Sequence, residues 1–435
     1  MRTTRSISHS EAIAESRRCL GCYDAPCRQA CPAKVNIPEF ITRIREDAIQ
    51  GAGELLYEAC PLAATCGLAC PTTTLCEGAC VLQGIGQPPV RIGSLQTFAA
   101  MQYRGNDDEV GSGNGCRVAV VGAGPSSLGC AVALRRQGHT VDVYERGGDL
   151  GGLVGRVIPA HRLPQEAVDF DLERLQRLGI TFYFQQNIGN AEAESLLADY
   201  DAVFLGVGLS GVNELDMPGS GLAGVISAMD FLAQARRHYR GEAEKPETGR
   251  RVAVIGGGNV ALDAAVMAKH LGAERVMVLY RRGIDEMPGW RSEYSEAASL
   301  GVEFRWLSVI DEFLQAGGRV RGVTVRGMRY SAGKGDGRRG VEADPDAPLY
   351  ELPLDQVIPA LGQSLDEGIA DCFGIERAAN GTLMTGEGGW RTSKPGLFAA
   401  GECVNGGSTI VACLAEGMAA GRLIHEWLFS RDEVR

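Results

Sequence analysis

The sequence predicts an α/β fold in which a small all-α domain precedes two Rossmann-like parallel-sheet domains, the second inserted in the first. Three observations predict it. Nine of the fourteen cysteines fall between Cys19 and Cys80, and no strand-like alternation occurs before residue 115. Two segments more than 130 residues apart, 117–145 and 251–282, share the order apolar run, glycine turn, alanine- and leucine-rich stretch, apolar run. That order describes a βαβ unit, and so wide a spacing means duplicated domains rather than a solenoid repeat. A third segment, 396–421, closes the chain with a strand, a glycine turn and a helix.

A chain of 435 residues is too long for one ordinary core, so two or three domains are expected. The boundaries are expected at 1–110 for the helical domain, at 115–245 with 366–435 for the first sheet domain, and at 246–365 for the inserted one. Net charge is −11 and the pI near 5.2, which argues against a polyanionic partner such as nucleic acid. Residues 1–18 contain no apolar signal region, and no run of about 18 apolar residues occurs anywhere. A cytoplasmic protein with no membrane segment is expected.

In the first domain, residues 8–18 and 37–58 read as helices flanking the first cysteines, and 105–115 (GNDDEVGSGNG) reads as a linker. The cysteines form two runs: Cys19, Cys22, Cys27 and Cys31, then Cys60, Cys66, Cys70, Cys76 and Cys80. A secreted disulfide framework would come with a signal peptide and a short chain. Structural zinc would use two C-x-x-C pairs or added histidines, but only one such pair occurs and His9 is the only histidine before residue 139. Short loops that bring several thiolates together, with Cys-Pro steps at Cys31 and Cys70, are instead the spacing of iron-sulfur clusters.

Each βαβ unit carries the turn that a dinucleotide requires, with glycines where the pyrophosphate must approach backbone at a helix N-terminus. In the first unit these are Gly122 and Gly124, followed by Pro125 and Ser126, with Ser127 at the third small-residue position. Glu145, ending the second strand, suits a free ribose hydroxyl, as in FAD or NAD. In the second unit Gly256 and Gly258 lead into Asn259 and Val260, with Ala261 third. Its second strand ends in Tyr280, Arg281 and Arg282, and paired guanidinium groups there favour a 2′-phosphate, hence NADPH over NADH. One such turn is a weak signal. Two copies, each after a strand and before a helix and differing in charge at the ribose end, point to a flavin reductase.

Gly401 and Glu402, with Thr409 at the turn into the last helix, would belong to the first unit if the chain returns to it. A carboxylate at Glu402 could bind the ribityl chain. Cys403 lies close by, but neither nucleotide domain contains a C-x-x-C, so Cys403 and Cys413 read as small buried residues, as do Cys116, Cys130 and Cys372.

These residues resemble the N-terminal half of dihydropyrimidine dehydrogenase, the bacterial subunit that corresponds to it, and the related small subunit of glutamate synthase. The likeness covers nearly the whole chain. It rests on the cysteine runs, Gly122 to Ser127, the GGL that includes Gly152 and Leu153, the RLP that begins at Arg162, Gly256 to Ala261, the YRR at Tyr280 to Arg282, and Glu402. The resemblance implies two 4Fe-4S clusters. One would be held by Cys19, Cys22, Cys27 and Cys80, and the other by Cys31, Cys70, Cys76 and Gln96, leaving Cys60 and Cys66 over. Gln96 lies in an IGxLQ stretch as in dihydropyrimidine dehydrogenases, where glutamate synthase small subunits usually carry glutamate. Glu402 stands where aspartate is common, and Ser127 where glycine or alanine is.

The resemblance further implies an electron-input chain that oxidises NAD(P)H at FAD and passes single electrons through the clusters. No catalytic side chain is expected at the hydride step. No domain for a pyrimidine or for glutamine is recognisable, so a hetero-oligomeric partner is expected. This would be an FMN-containing pyrimidine-reducing subunit or, as the second reading, a large glutamine-dependent one or the acceptor of a related NAD(P)H:ferredoxin oxidoreductase.

Overall fold

A computed structural model describes residues 7–105, 111–331, 339–386 and 389–432. It divides into two compact units: residues 1–155, 160–211 and 364–435, and residues 156–159 with 212–363.

The first unit begins with helices and, among the described residues, has no strand before Arg117. His9–Ser16 opens with a capping box in which Ser8 and Glu11 satisfy each other's backbone amides. The stretch expected as one helix over 37–58 is two, Ile37–Arg45 and Ile49–Ala59. They are broken at Asp47, whose φ of 61° no helix accommodates and whose carboxylate meets His9 at 3.0 Å. The apolar stripe of Ile37, Phe40, Ile41 and Ile44 is buried, which seats the first of the pair. Two short helices, Pro26–Ala30 and Val81–Gly84, lie beside the cysteines, and Ala63–Ala69 and Ile92–Gln102 pack so closely at Gly67 that an added Cβ would meet Thr97 Oγ1 at 2.4 Å. Of the expected linker, 106–110 lies outside the described residues, and 111–115 is irregular.

Five parallel strands follow, in the order Leu397–Ala399, Ala202–Leu205, Arg117–Val121, Thr140–Tyr144, Thr181–Tyr183. The central strands are buried on both faces, as a sheet covered by helices requires. The strand Leu397–Ala399 pairs with Ala202–Leu205, so the chain does return to its first sheet after the insertion. The chain leaves and re-enters through two short strands, Gly211–Val212 and Gln363–Ser364, which pair with each other.

The second unit holds a parallel sheet ordered Gln356–Pro359, Arg251–Ile255, Arg275–Tyr280, Glu303–Trp306. It also holds an antiparallel sheet around the long strand Arg319–Ser331, which sequence reading did not anticipate. Residues 212–245 belong with this unit, ahead of the expected start at 246. Helix Ala228–Tyr239 packs on Asn259–His270, and Val357 donates to Gly224 O at 2.9 Å.

Candidate functional site

The nine N-terminal cysteines separate into two groups. Cys19, Cys22, Cys27 and Cys80 line one pocket with apolar walls from Ile37, Ile41 and Leu82. Cys31 neighbours Cys60 and Cys70, and Cys76 neighbours Cys70 and Cys31. Cys66, fully enclosed, meets both Cys60 and Cys70 thiol to thiol. The two residues that sequence reading left over therefore stand inside the second group. Among the described residues no three His, Cys, Asp or Glu side chains converge as they would on a single ion.

Burial pushes the Cys27 and Cys31 thiols up to about 11 and raises Cys19 and Cys76 as well, while Cys66 is raised first by its thiol contacts with Cys60 and Cys70 and then by burial. Such thiols are protonated at neutral pH unless a cationic group replaces the proton. All-thiol donor sets in apolar hollows fit an iron-sulfur group, whose irons supply that charge. Gln96 packs against helix Ala63–Ala69, which carries Cys66, and its Nε2 donates to Ala63 O at 2.8 Å.

The first nucleotide turn is built as its glycines require. Gly122 has φ 93°, and a Cβ there would meet Gly206 O at 2.8 Å. Gly124 caps helix Pro125–Arg136, and an added Cβ there would meet nothing closer than Gly206 O at 3.9 Å, so the turn is open where a pyrophosphate would approach. Ser127, where glycine or alanine was expected, is accommodated because its hydroxyl donates to Gly206 O at 3.2 Å. Ser126 Oγ is buried with no partner, an orphaned donor in the wall of a phosphate-shaped turn. Glu145 is buried and braces the turn, accepting from Ala123 N at 2.9 Å and Gly147 N at 2.6 Å. Each carboxylate oxygen keeps a lone pair for a ribose hydroxyl.

Of the other sequence-derived residues of this unit, Gly152 and Gly401 lie against the same turn. Gly151 N donates to Ala123 O at 2.9 Å, and a Cβ on Gly152 would stand 3.1 Å from Gly124 Cα, so the GGL closes on the glycine turn. Leu153 begins the short helix Leu153–Arg156, and Arg162 lies half-buried in the turn before helix Gln165–Arg177. Gly401 approaches from the last strand, where a Cβ would meet Ser126 Cβ at 2.7 Å. Glu402 follows, accepts from Ser408 N at 3.3 Å, and is raised by burial and by Glu416 nearby. Thr409 caps the C-terminal helix Ile410–Asp432 through Oγ1, which accepts from Ala412 N at 3.2 Å.

Sequence reading missed two features here. Glu416 accepts from Gly401 N at 3.0 Å and from Asn405, fixing the turn that carries Glu402. Gly129, Gly417 and Gly421 let the helices Pro125–Arg136 and Ile410–Asp432 touch backbone to backbone, and a Cβ on Gly417 would lie 1.8 Å from Ser126 O. The four-residue spacing of Gly417 and Gly421 was the available signal. Cys403 is fully buried and pushed up to about 12, and Cys130 and Cys413 are buried and raised. Cys116 and Cys372 are half-buried.

In the second unit Gly256 has φ 136°, and a Cβ there would strike Ala360 O at 2.4 Å. Gly258 is open to more than 4 Å and caps Asn259–His270. Asn259 Oδ1 accepts from Trp290 N at 2.8 Å, and Gly289 N donates to Gly257 O at 2.9 Å, so a loop from the next segment is pinned to the turn. Val260 is half-buried behind it. At the ribose end the two arginines part. Arg282 is 8% exposed, its Nε donates to Arg339 O at 3.1 Å and its carbonyl accepts from Leu307 N at 3.2 Å. Arg281 is exposed. Tyr280 is core, its hydroxyl bonded to Glu286 O at 3.0 Å. Arg339, missed by sequence reading, stacks over Tyr330 at 3.8 Å and pairs with Glu286.

Known families and relatives match both parts of the chain. Residues 2–107 match the family described as "Dihydroprymidine dehydrogenase domain II, 4Fe-4S cluster", and 116–417 match "Pyridine nucleotide-disulphide oxidoreductase". The chain is 34% identical over 426 residues to the NAD-dependent dihydropyrimidine dehydrogenase subunit PreT of Escherichia coli K12, covering 96% of this chain and 94% of that one. It is 33% identical over 442 residues to the glutamate synthase [NADPH] small chain of the same organism, covering 97% and 92%. FprA of Mycobacterium tuberculosis shares the fold, with a TM-score of 0.62 at 20% identity, over 73% of this chain and 86% of that one.

Proposed function

The chain belongs to the pyridine nucleotide-disulphide oxidoreductase family and carries an N-terminal 4Fe-4S domain, which makes it an NAD(P)H-dependent flavin iron-sulfur oxidoreductase; from that premise we propose that it is the electron-input subunit of a dihydropyrimidine dehydrogenase. The observation that carries the proposal is the combination on one chain of two separate thiol groups, two dinucleotide turns and Gln96 bonded to the helix that bears Cys66. The bound groups supply hydride acceptance from the nicotinamide and one-electron relay.

The protein's part is to hold and orient. Gly122, Gly124, Pro125, Ser126 and Ser127 seat the FAD pyrophosphate, Glu145 the ribose, and Gly401, Glu402 and Thr409 the flavin end, with Gly152, Leu153 and Arg162 closing the turn. Gly256, Gly258, Asn259 and Val260 seat the nicotinamide dinucleotide. Arg281 reads the 2′-phosphate, with Arg282 bracing the backbone behind it. One 4Fe-4S cluster is held by Cys19, Cys22, Cys27 and Cys80, and a second by Cys31, Cys70, Cys76 and Gln96. Cys66 contributes a thiol hydrogen bond to the second, its proton held by contacts with Cys60 and Cys70 and by burial, and Cys60 packs beside it.

Despite the family's name, we read no disulfide-exchange motif among the described residues of the nucleotide-binding part, where no C-x-x-C occurs. Cys403 is buried and raised, the reverse of an activated thiol. Among the described residues no helix is long and apolar enough to cross a membrane, and we assign the protein to the cytoplasm, where clustered thiols stay reduced.

Both curated relatives are named as one chain of a larger enzyme, so a partner is part of the reading. An FMN-containing subunit that reduces uracil or thymine is the partner proposed. The glutamate synthase small chain, at 33% identity over 97% of this chain, supports a second reading. Assay of the chain with its native partner on uracil, and separately on 2-oxoglutarate with glutamine, tests the choice. NAD(P)H oxidation dependent on uracil is expected. Oxidation dependent only on 2-oxoglutarate and glutamine establishes the second reading instead.

A further inference from the structure

Helix Ala63–Ala69 is the element on which the second thiol group depends. It contains Cys66, ends at Cys70, and accepts the Gln96 amide at its first carbonyl. At seven residues it is too short to be stable alone, and its own N-cap residue, Leu62, offers no side-chain acceptor. Its orientation must come from outside.

The acceptor arrives from a segment more than a hundred residues away. Asp171, fully buried on helix Gln165–Arg177, takes Thr65 N at 2.8 Å on Oδ2 and Ala64 N at 3.3 Å on Oδ1. Tyr57, next to the thiol group on the preceding helix, donates its hydroxyl to Oδ1 at 2.8 Å. One turn on, Arg174 lies over the rings of Tyr57 and Tyr103 at 4.3 and 4.5 Å. A buried carboxylate on first-turn amides is a charge-assisted cap and a stiff one.

The residue after Asp171 reaches the other way. A Cβ added at Gly151 would find Leu172 Cδ1 at 3.7 Å, and the Gly151 turn closes on Gly124 at the FAD pyrophosphate site. Helix Gln165–Arg177 thus stands between the Gly151 turn, on the side of Leu172, and helix Ala63–Ala69, which Asp171 holds at Ala64 and Thr65 just before Cys66. We propose that Asp171 is a positioning residue for electron hand-off, which sets where the second thiol group stands relative to the flavin site by holding helix Ala63–Ala69. The proposal rests on the electron-input reading above.

The test uses the full holo chain with Asp171→Asn, Asp171→Ala, Asp171→Glu and Tyr57→Phe. Readouts are FAD and iron content, amide exchange over residues 62–70, the EPR spectrum of the chemically reduced chain, and the separate phases of flavin and iron-sulfur reduction after NAD(P)H addition. Asp171→Asn is expected to keep FAD, iron and the flavin phase, to raise exchange at Ala64 and Thr65, to alter one EPR signal and leave the other, and to slow the iron-sulfur phase by at least about tenfold. Asp171→Glu should recover part of that loss. If Asp171→Ala loses iron, Asp171→Asn and Tyr57→Phe carry the same comparison with an acceptor still in place. An unchanged iron-sulfur phase and unchanged exchange in Asp171→Asn overturn the proposal alone. A wild-type chain whose flavin bleaches with no iron-sulfur phase overturns the electron-input reading, and the proposal with it.

Discussion

The hydroxyl of Tyr57 and the carboxylate of Asp171 meet at 2.8 Å inside the protein, 114 residues apart in sequence. Through this bond the cysteine-bearing helices and the flavin-binding fold become one body. Arg136 adds a second tie, since its guanidinium donates to the carbonyls of Glu58 and Tyr57 at 2.8 and 2.9 Å.

The tie has a pH signature. Burial pushes the Asp171 carboxyl up to about 6, against three hydrogen bonds that favour the anion. Between the ordinary value of 3.8 and about 6, the folded chain binds a proton here that the unfolded chain does not. This group's stabilisation is therefore largest at acid pH and is lost as pH rises through about 6, a difference of about 3 kcal/mol. Asp171→Asn, uncharged throughout, lacks that dependence. Melting temperatures between pH 5 and 7.5 should show wild type losing ground to the variant as pH rises, and a constant difference would refute this.

Gln96 separates the two thiol groups by experiment. Gln96→Ala should lower iron content and remove one 4Fe-4S EPR signal while sparing the other, whereas Cys80→Ser should do the converse. Cys60→Ser should retain both signals. Unchanged iron and spectra in Gln96→Ala would remove it from the ligand set.

Gly417 holds two helices together by having no side chain. A Cβ there would stand 1.8 Å from Ser126 O, so Gly417→Ala must push the C-terminal helix off the pyrophosphate turn. A stability loss of about 1–3 kcal/mol is expected, together with weaker FAD retention. Gly113→Ala, where an added Cβ meets nothing within 4 Å, serves as the control. Equal melting temperatures and flavin-to-protein ratios in the two variants would contradict this packing account.

The arginines at the end of strand Arg275–Tyr280 should behave differently. Arg281→Ala should raise the KM for NADPH by about tenfold or more, the loss of a charged hydrogen bond, and leave the KM for NADH nearly unchanged. Arg282→Ala should lower stability first, because its Nε is committed to Arg339 O. Equal effects of Arg281→Ala on the two dinucleotides would remove the 2′-phosphate assignment.

What the sequence made legible is what local chemistry forces. A glycine turn between a strand and a helix has few structural alternatives, so Gly122, Gly124, Gly256 and Gly258 could be read directly. Cysteine spacing likewise separated iron-sulfur from zinc. What stayed hidden is set by distant partners. Nothing near Asp171 in sequence marks it as a cap for Ala64 and Thr65, and nothing near Arg282 says that Arg339 will claim it. Asp47 breaks a stretch whose composition is helical throughout, because the turn there is fixed by the packing of the two helices it joins. Cys60 and Cys66 could not be placed by spacing alone, since their approach to Cys31 and Cys70 depends on helices folding back together.

The central claim, that reducing equivalents enter at the nucleotide sites and leave through the N-terminal domain, is tested most directly by anaerobic titration of the purified chain with NADPH and NADH, followed by visible absorption and EPR. The account expects the flavin band to bleach and signals of two reduced 4Fe-4S clusters to appear in the same sample. Bleaching with the iron-sulfur centres left oxidised, or only one such centre at any reductant level, would contradict it.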